Sequence, residues 1–151
     1  MGLDCYIVHG NDRDKDFTSE DEPRIKDVNL CGGMMSGHGA DGSFRGKWYE
    51  PLMDDLMEEQ FIWHIEESIH VQACELKEQA LALADLLHSV ESDAKEQDLL
   101  IDDGKATLSP ETIVYQTHHE SPYEYTYQEV YDLELLLRCA SERGAVMVCW
   151  W

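Results

Sequence analysis

Positive charge is what this 151-residue sequence has least of. Eleven Lys and Arg face 32 Asp and Glu, for a formal net charge of −21. Binding to nucleic acid or an anionic membrane depends on Lys and Arg displacing counterions from phosphates, so direct binding to nucleic acid is excluded. No run of 18 apolar residues occurs, so no helical membrane span is expected. Residues 1–10 lack the basic and apolar regions of a secretion signal, which points to a cytoplasmic protein. The five cysteines (5, 31, 74, 139, 149) are odd in number and widely spaced, with no Cys-x-x-Cys pair. That pattern excludes a disulfide scaffold or zinc ribbon and favours reduced thiols. No cofactor motif is complete, and no cofactor is expected.

What is present suits a folded globule. Apolar residues make up 43% of the chain, enough to build one core, and a single domain over 1–151 is expected. Short β-prone runs lie at Leu3–Val8, Ile25–Leu30, Thr112–Thr117 and Ala145–Trp151. A helix is expected from Trp48 to Gln60, with Pro51 in its first turn. A long amphipathic helix is expected over Phe61–Val90, where Ile62, Ile65, Ile69, Ala73, Leu76, Ala80, Leu83, Leu87 and Val90 recur at spacings of three and four. This stripe serves either the chain's own core or a homodimer seam. A last helix has two candidate starts, Ser121-Pro-Tyr-Glu and Thr126-Tyr-Gln-Glu, both capping boxes, and it ends at Gly144. Together these predict an α+β fold: a small, largely antiparallel sheet with the first and last strands adjacent and about three helices on one face.

Six of the ten glycines fall between Gly32 and Gly46, in a segment from Cys31 to Lys47 that carries Asp41 against Arg45 and Lys47. Glycines let backbone amides approach a ligand, and the two cations suit an anion, so Gly37, His38, Ser43, Arg45 and Lys47 form a candidate ligand site. The phosphate-loop pattern fails, because Asp41 stands where glycine is needed and Trp48 where Ser or Thr is needed. Gly37-x-Gly39-x-x-Gly42 matches a dinucleotide fingerprint in letters only, since Asp41-Gly42 is a turn signal and no helix opens there. A purely structural loop is the plain alternative. The Leu30–Tyr49 segment and the opening Met-Gly-Leu-Asp-Cys-Tyr resemble a group of small bacterial and phage proteins sharing a Cys-Gly-Gly-Met…Gly-Ser-Phe-Arg-Gly-Lys core. The resemblance covers about a fifth of the chain. It implies that the glycine segment is the group's hallmark, and it carries no activity.

Residues 50–103 hold a net charge of −14. Asp54, Asp55, Glu58, Glu59, Glu66 and Glu67 are the candidate contacts for a basic protein partner, whose approach such a field accelerates. Solubility, or life at high salt, would account for the acidity equally. Glu67, His70 and Cys74 fall on one side of the expected long helix at i, i+3 and i+7, a candidate metal site beside the plainer reading of a packed or surface face. Cys31 and His38 suggest a thiol–imidazole pair with no third residue to orient it. His118 and His119 would alternate across a strand and so do not converge. Five tyrosines between Tyr115 and Tyr131 suit either a core edge or an interface. The function read from this is an acidic interaction module that binds a basic partner, such as a phage-encoded inhibitor or nucleic-acid charge mimic. The alternative is a small ligand- or anion-binding protein or enzyme with its site in residues 31–47.

Overall fold

The computed structural model describes residues 4–31, 43–60, 62–63, 68–96, 108–117 and 122–150. Two β-prone runs at opposite ends of the sequence meet at its centre. β1 (Asp4–Val8) and β6 (Val146–Trp150) pair antiparallel, with Cys5 opposite Cys149 and Ile7 opposite Met147. The sheet is completed by β2 (Ser43–Phe44) beside β1 and β3 (Ser68–Val71) beside β6, giving the antiparallel order β2-β1-β6-β3. Alternation along the strands sends Cys5, Ile7, Met147 and Cys149 into the main core. Tyr6, Val8, Val146 and Val148 form a smaller apolar cluster on the other face.

Among the described residues three helices accompany the sheet: α1 (Gly46–Met57), α2 (Ala73–Glu96) and α3 (Tyr127–Glu142). The architecture is α+β, as expected. α2 buries Leu76, Ala80, Leu83 and Leu87, and α3 buries Val130, Leu133, Leu136, Leu137 and Ala140 in the same core. Leu76, Ala80, Leu83 and Leu87 of the stripe therefore serve the chain's own core. Of the two candidate starts for α3, Thr126 caps it: its hydroxyl accepts the Glu129 N–H, and the Glu129 carboxylate accepts the Thr126 N–H. Ser121 lies outside the described residues. α3 stops before Gly144, whose φ of +66° is costly for any residue with a Cβ. Gly10 lies so close under the Gly144 carbonyl that a Cβ there would collide with it.

Four expectations need correction. Residues 61–90 are not one helix: Ser68–Val71 is a strand, and α2 starts at Ala73, where the Glu75 carboxylate reaches back to the Gln72 N–H at 2.9 Å. A four-residue strand is too short for its alternation to stand out against the three-and-four spacing around it. Ile25–Leu30 is not a strand. Pro23 opens a 3-10 turn over Pro23–Ile25, capped by the Glu22 carboxylate, which Arg24 (2.9 Å) and Arg143 (3.0 Å) hold in place. These cations hold the Glu22 carboxyl well down, at about 2. The strand β4 (Ile113–Gln116) leaves the main sheet and pairs with β5 (Glu124–Thr126) in a ribbon of its own. Finally, α1 begins two residues before Trp48. This puts Pro51 beyond the first turn, where it deprives the Lys47 carbonyl of its usual helical donor.

Candidate functional site

The earlier start of α1 places both groups of candidate residues on one element. Arg45 and Lys47 stand at its amino end, and Asp54, Asp55, Glu58 and Glu59 at its carboxyl end. Twelve residues at 1.5 Å each separate the ends by about 18 Å. A helix carries a partial positive charge at its first amides and a partial negative charge at its last carbonyls. α1 has no acid in its first turn and no base in its last. Its charges oppose its own dipole at both ends, an arrangement that costs about 0.3–1 kcal/mol per misplaced charge.

At the amino end, β2 delivers Arg45, which caps α1 through extended backbone without a side-chain cap bond. The Arg45 N–H donates to the Cys31 carbonyl at 2.8 Å, and the Cys31 N–H donates to the Tyr49 hydroxyl at 2.9 Å. These two bonds bring Cys31 against the helix start. Cys31, Arg45, Lys47, Trp48 and Tyr123 line an open cavity of about 220 Å³. Trp48 meets Tyr123 edge-on at 5.2 Å, and its indole N–H donates to Glu129 at 2.7 Å. Tyr49 beneath it is buried, which pushes its phenol well above its ordinary range.

At the carboxyl end, Glu58 takes a left-handed conformation (φ +55°) and turns the chain out of the helix. Asp54, Asp55, Glu58, Glu59, Gln60 and Tyr115 line a wide groove of about 650 Å³. The Asp54 carboxylate accepts the Ile62 N–H at 2.9 Å and the Asp55 carboxylate accepts the Tyr115 hydroxyl at 3.2 Å. Burial, reinforced by the Asp55 charge, pushes the Tyr115 phenol up to about 12. The β4–β5 ribbon thus supplies Tyr115 to the acidic groove, and Tyr123, just before β5, lines the basic cavity. Tyr125 between them is buried, its hydroxyl donating to the Trp48 carbonyl at 2.6 Å. The tyrosine cluster divides between core and site.

Of the expected site residues, Arg45 and Lys47 converge, and so do Asp54, Asp55, Glu58 and Glu59. The Ser43 backbone pairs with Tyr6 at the start of β2. Gly37, His38, Glu66 and Glu67 lie outside the described residues, as do His118 and His119. Tyr115 and Tyr123 belong to the tyrosine cluster expected at a core edge or an interface, whereas Trp48 carries no such signal in the sequence. The helical spacing offered for Glu67, His70 and Cys74 does not hold, because His70 sits in β3 and Cys74 in the first turn of α2. Among the described residues no three His, Cys, Asp or Glu are grouped to hold a metal, and no helix is long and apolar enough to cross a membrane. A third cavity, of about 320 Å³ between α2 and α3, is lined by Ala80, Leu81 and Ala84 with mixed charges at its rim.

The dipole argument has a direct check. Lys47→Glu is expected to stabilise the fold by about 0.3–1 kcal/mol, raising the thermal midpoint by about 1–4 °C. A fall in the midpoint, followed by circular dichroism, would show that Lys47 serves stability instead. In comparisons with known families, curated proteins and solved structures, none matches this chain.

Proposed function

We propose that this protein is an acidic interaction module that takes a Lys/Arg-rich segment of a protein partner into the groove at the carboxyl end of α1. The observation that carries the reading is the placement of Asp54, Asp55, Glu58 and Glu59 around one groove at the negative end of a helix dipole. Like charges crowded there repel one another and the helix end, so stability alone does not favour the arrangement. A cationic segment relieves both repulsions at once. Tyr115 adds an aromatic wall on which Lys or Arg side chains pack. A segment of that chemistry also binds nucleic-acid phosphates. The partner is thus of the nucleic-acid-binding class, and this chain acts as an inhibitor or charge mimic, a role suited to the cytoplasm and to a phage protein.

The test titrates a Lys/Arg-rich peptide into the protein by calorimetry at low and at high salt. Asp55→Asn/Glu58→Gln/Glu59→Gln is expected to weaken binding by about tenfold, near 0.5 kcal/mol per exposed charge, and to flatten the salt dependence. Asp54 is left intact because it accepts the Ile62 N–H. Equal affinity in the variant and the parent would refute the reading. A second reading rests on the opposite end of α1. There Arg45 and Lys47, beside amides without a side-chain cap, suit a small anion in the Cys31–Tyr123 cavity.

A further inference from the structure

Cys5 and Cys149 face each other across the two central strands. They are direct register partners in the β1–β6 pair, both are fully buried, and their sulfurs lie 3.5 Å apart. Directly opposed residues of antiparallel strands have Cα atoms about 4.5–5.5 Å apart. That lies within the range of about 4.4–6.8 Å that a disulfide spans. A bond between these sulfurs therefore needs side-chain rotation and a small approach of the two strands. Packing alone does not ask for two thiols here. The next pair on the same face, Ile7–Met147, fills its position with larger apolar side chains, and two opposed cysteines bury less. The other cysteines sit elsewhere: Cys139 is buried on α3, while Cys31 and Cys74 are exposed.

We propose that Cys5 and Cys149 form a redox-active dithiol, a modification site that closes to a disulfide by exchange with a low-molecular-weight disulfide such as oxidised glutathione. One thiolate attacks a sulfur of the small disulfide, forming a mixed disulfide and releasing one glutathione thiolate. The second thiolate then attacks the protein sulfur of the mixed disulfide and releases the other. The two thiol protons pass to the departing thiolates, so two protein thiols and one small disulfide become one protein disulfide and two small thiols. Because both sulfurs are buried, exchange follows local opening of β1 from β6 and runs more slowly than at Cys31 or Cys74. The bond links residues 144 apart in sequence and fastens the first and last strands of the sheet. A loop of that length restricts the unfolded chain strongly, and a midpoint rise of about 10 °C or more is expected.

The experiment equilibrates the full chain with a reduced and oxidised glutathione mixture, both as native protein and during refolding from denaturant. Thiols are then trapped by alkylation, and the peptides are mapped without reduction. The expected result is a peptide linking Cys5 to Cys149, with the raised midpoint lost on adding reductant and absent from Cys5→Ala. Recovery of both residues as alkylated thiols in both samples would overturn the proposal. So would their recovery joined to glutathione or to other cysteines, or a linked protein whose midpoint fails to rise.

Discussion

Glu50→Gln is expected to stabilise the protein by about 3 kcal/mol at pH 8 and to leave it almost unchanged at pH 4. Glu50 is only 7% exposed, on the inner side of α1, where one carboxylate oxygen accepts the Trp63 N–H at 2.8 Å. Burial, aided by the Asp54 charge, outweighs the lowering by the Trp63 N–H and raises its carboxyl to about 7. The folded state therefore holds a proton that the unfolded state releases. Below the ordinary carboxyl range both states are protonated, and Glu50 costs nothing. Between about 4.5 and 7 stability falls as pH rises, and above 7 the full cost of burying the charge is present. Glutamine keeps an acceptor for the Trp63 N–H and never carries the charge. Urea unfolding of both proteins at the two pH values measures the difference. A variant that is less stable at pH 8, or an effect independent of pH, would contradict this account.

Trp63→Ala is expected to cost about 3–5 kcal/mol, the range for emptying a large aromatic site. Trp63 is fully buried, its ring packs edge-on to Phe44 with centroids 5.8 Å apart, and its indole N–H donates to Gln79 at 3.2 Å. It joins β2, α1 and α2 at one point, and β2 presents Arg45 to the basic cavity. Trp63→Phe separates the two contributions. It keeps a ring against Phe44 but leaves the buried Gln79 carbonyl without that donor, at a cost of about 1–3 kcal/mol. Denaturant midpoints give both values, and a loss below about 1 kcal/mol for the alanine variant would mean that the site collapses around the missing ring.

Parts of this structure are legible in the sequence because local chemistry and tertiary need coincide. Leu3–Val8 and Ala145–Trp151 are apolar runs that only a shared core accommodates, and they pair as β1 and β6. The end of α3 follows from Gly144, and its start from the Thr126 capping box. The strand β3 was hidden because Ile62, Ile65 and Ile69 keep helical spacing up to α2. β2 has two residues, Ser43 and Phe44, too few for any periodicity. Its place in the sheet comes from pairing with β1.

The site was half legible for the same reason. Arg45 and Lys47 stand out by sign in an acidic chain, and Asp54, Asp55, Glu58 and Glu59 by proximity along it. What joins them was lost by starting the helix at Trp48, which left both cations outside it and concealed their opposition to its dipole. Tyr115 and Tyr123 reach the two ends of α1 only through the β4–β5 ribbon, a long-range contact with no local signature.

The central claim is that the α1 groove, and not the net charge of −21, selects a basic partner. It is tested most directly by comparing two variants that lose equal charge. One is Asp55→Asn/Glu58→Gln/Glu59→Gln in the groove. The other is Glu78→Gln/Asp85→Asn/Asp93→Asn on the exposed side of α2. Calorimetric titration with one Lys/Arg-rich peptide at fixed salt is expected to show about a tenfold loss for the groove variant and about twofold or less for the α2 variant. Equal losses in the two would contradict the claim, because binding would then follow total charge and not the groove.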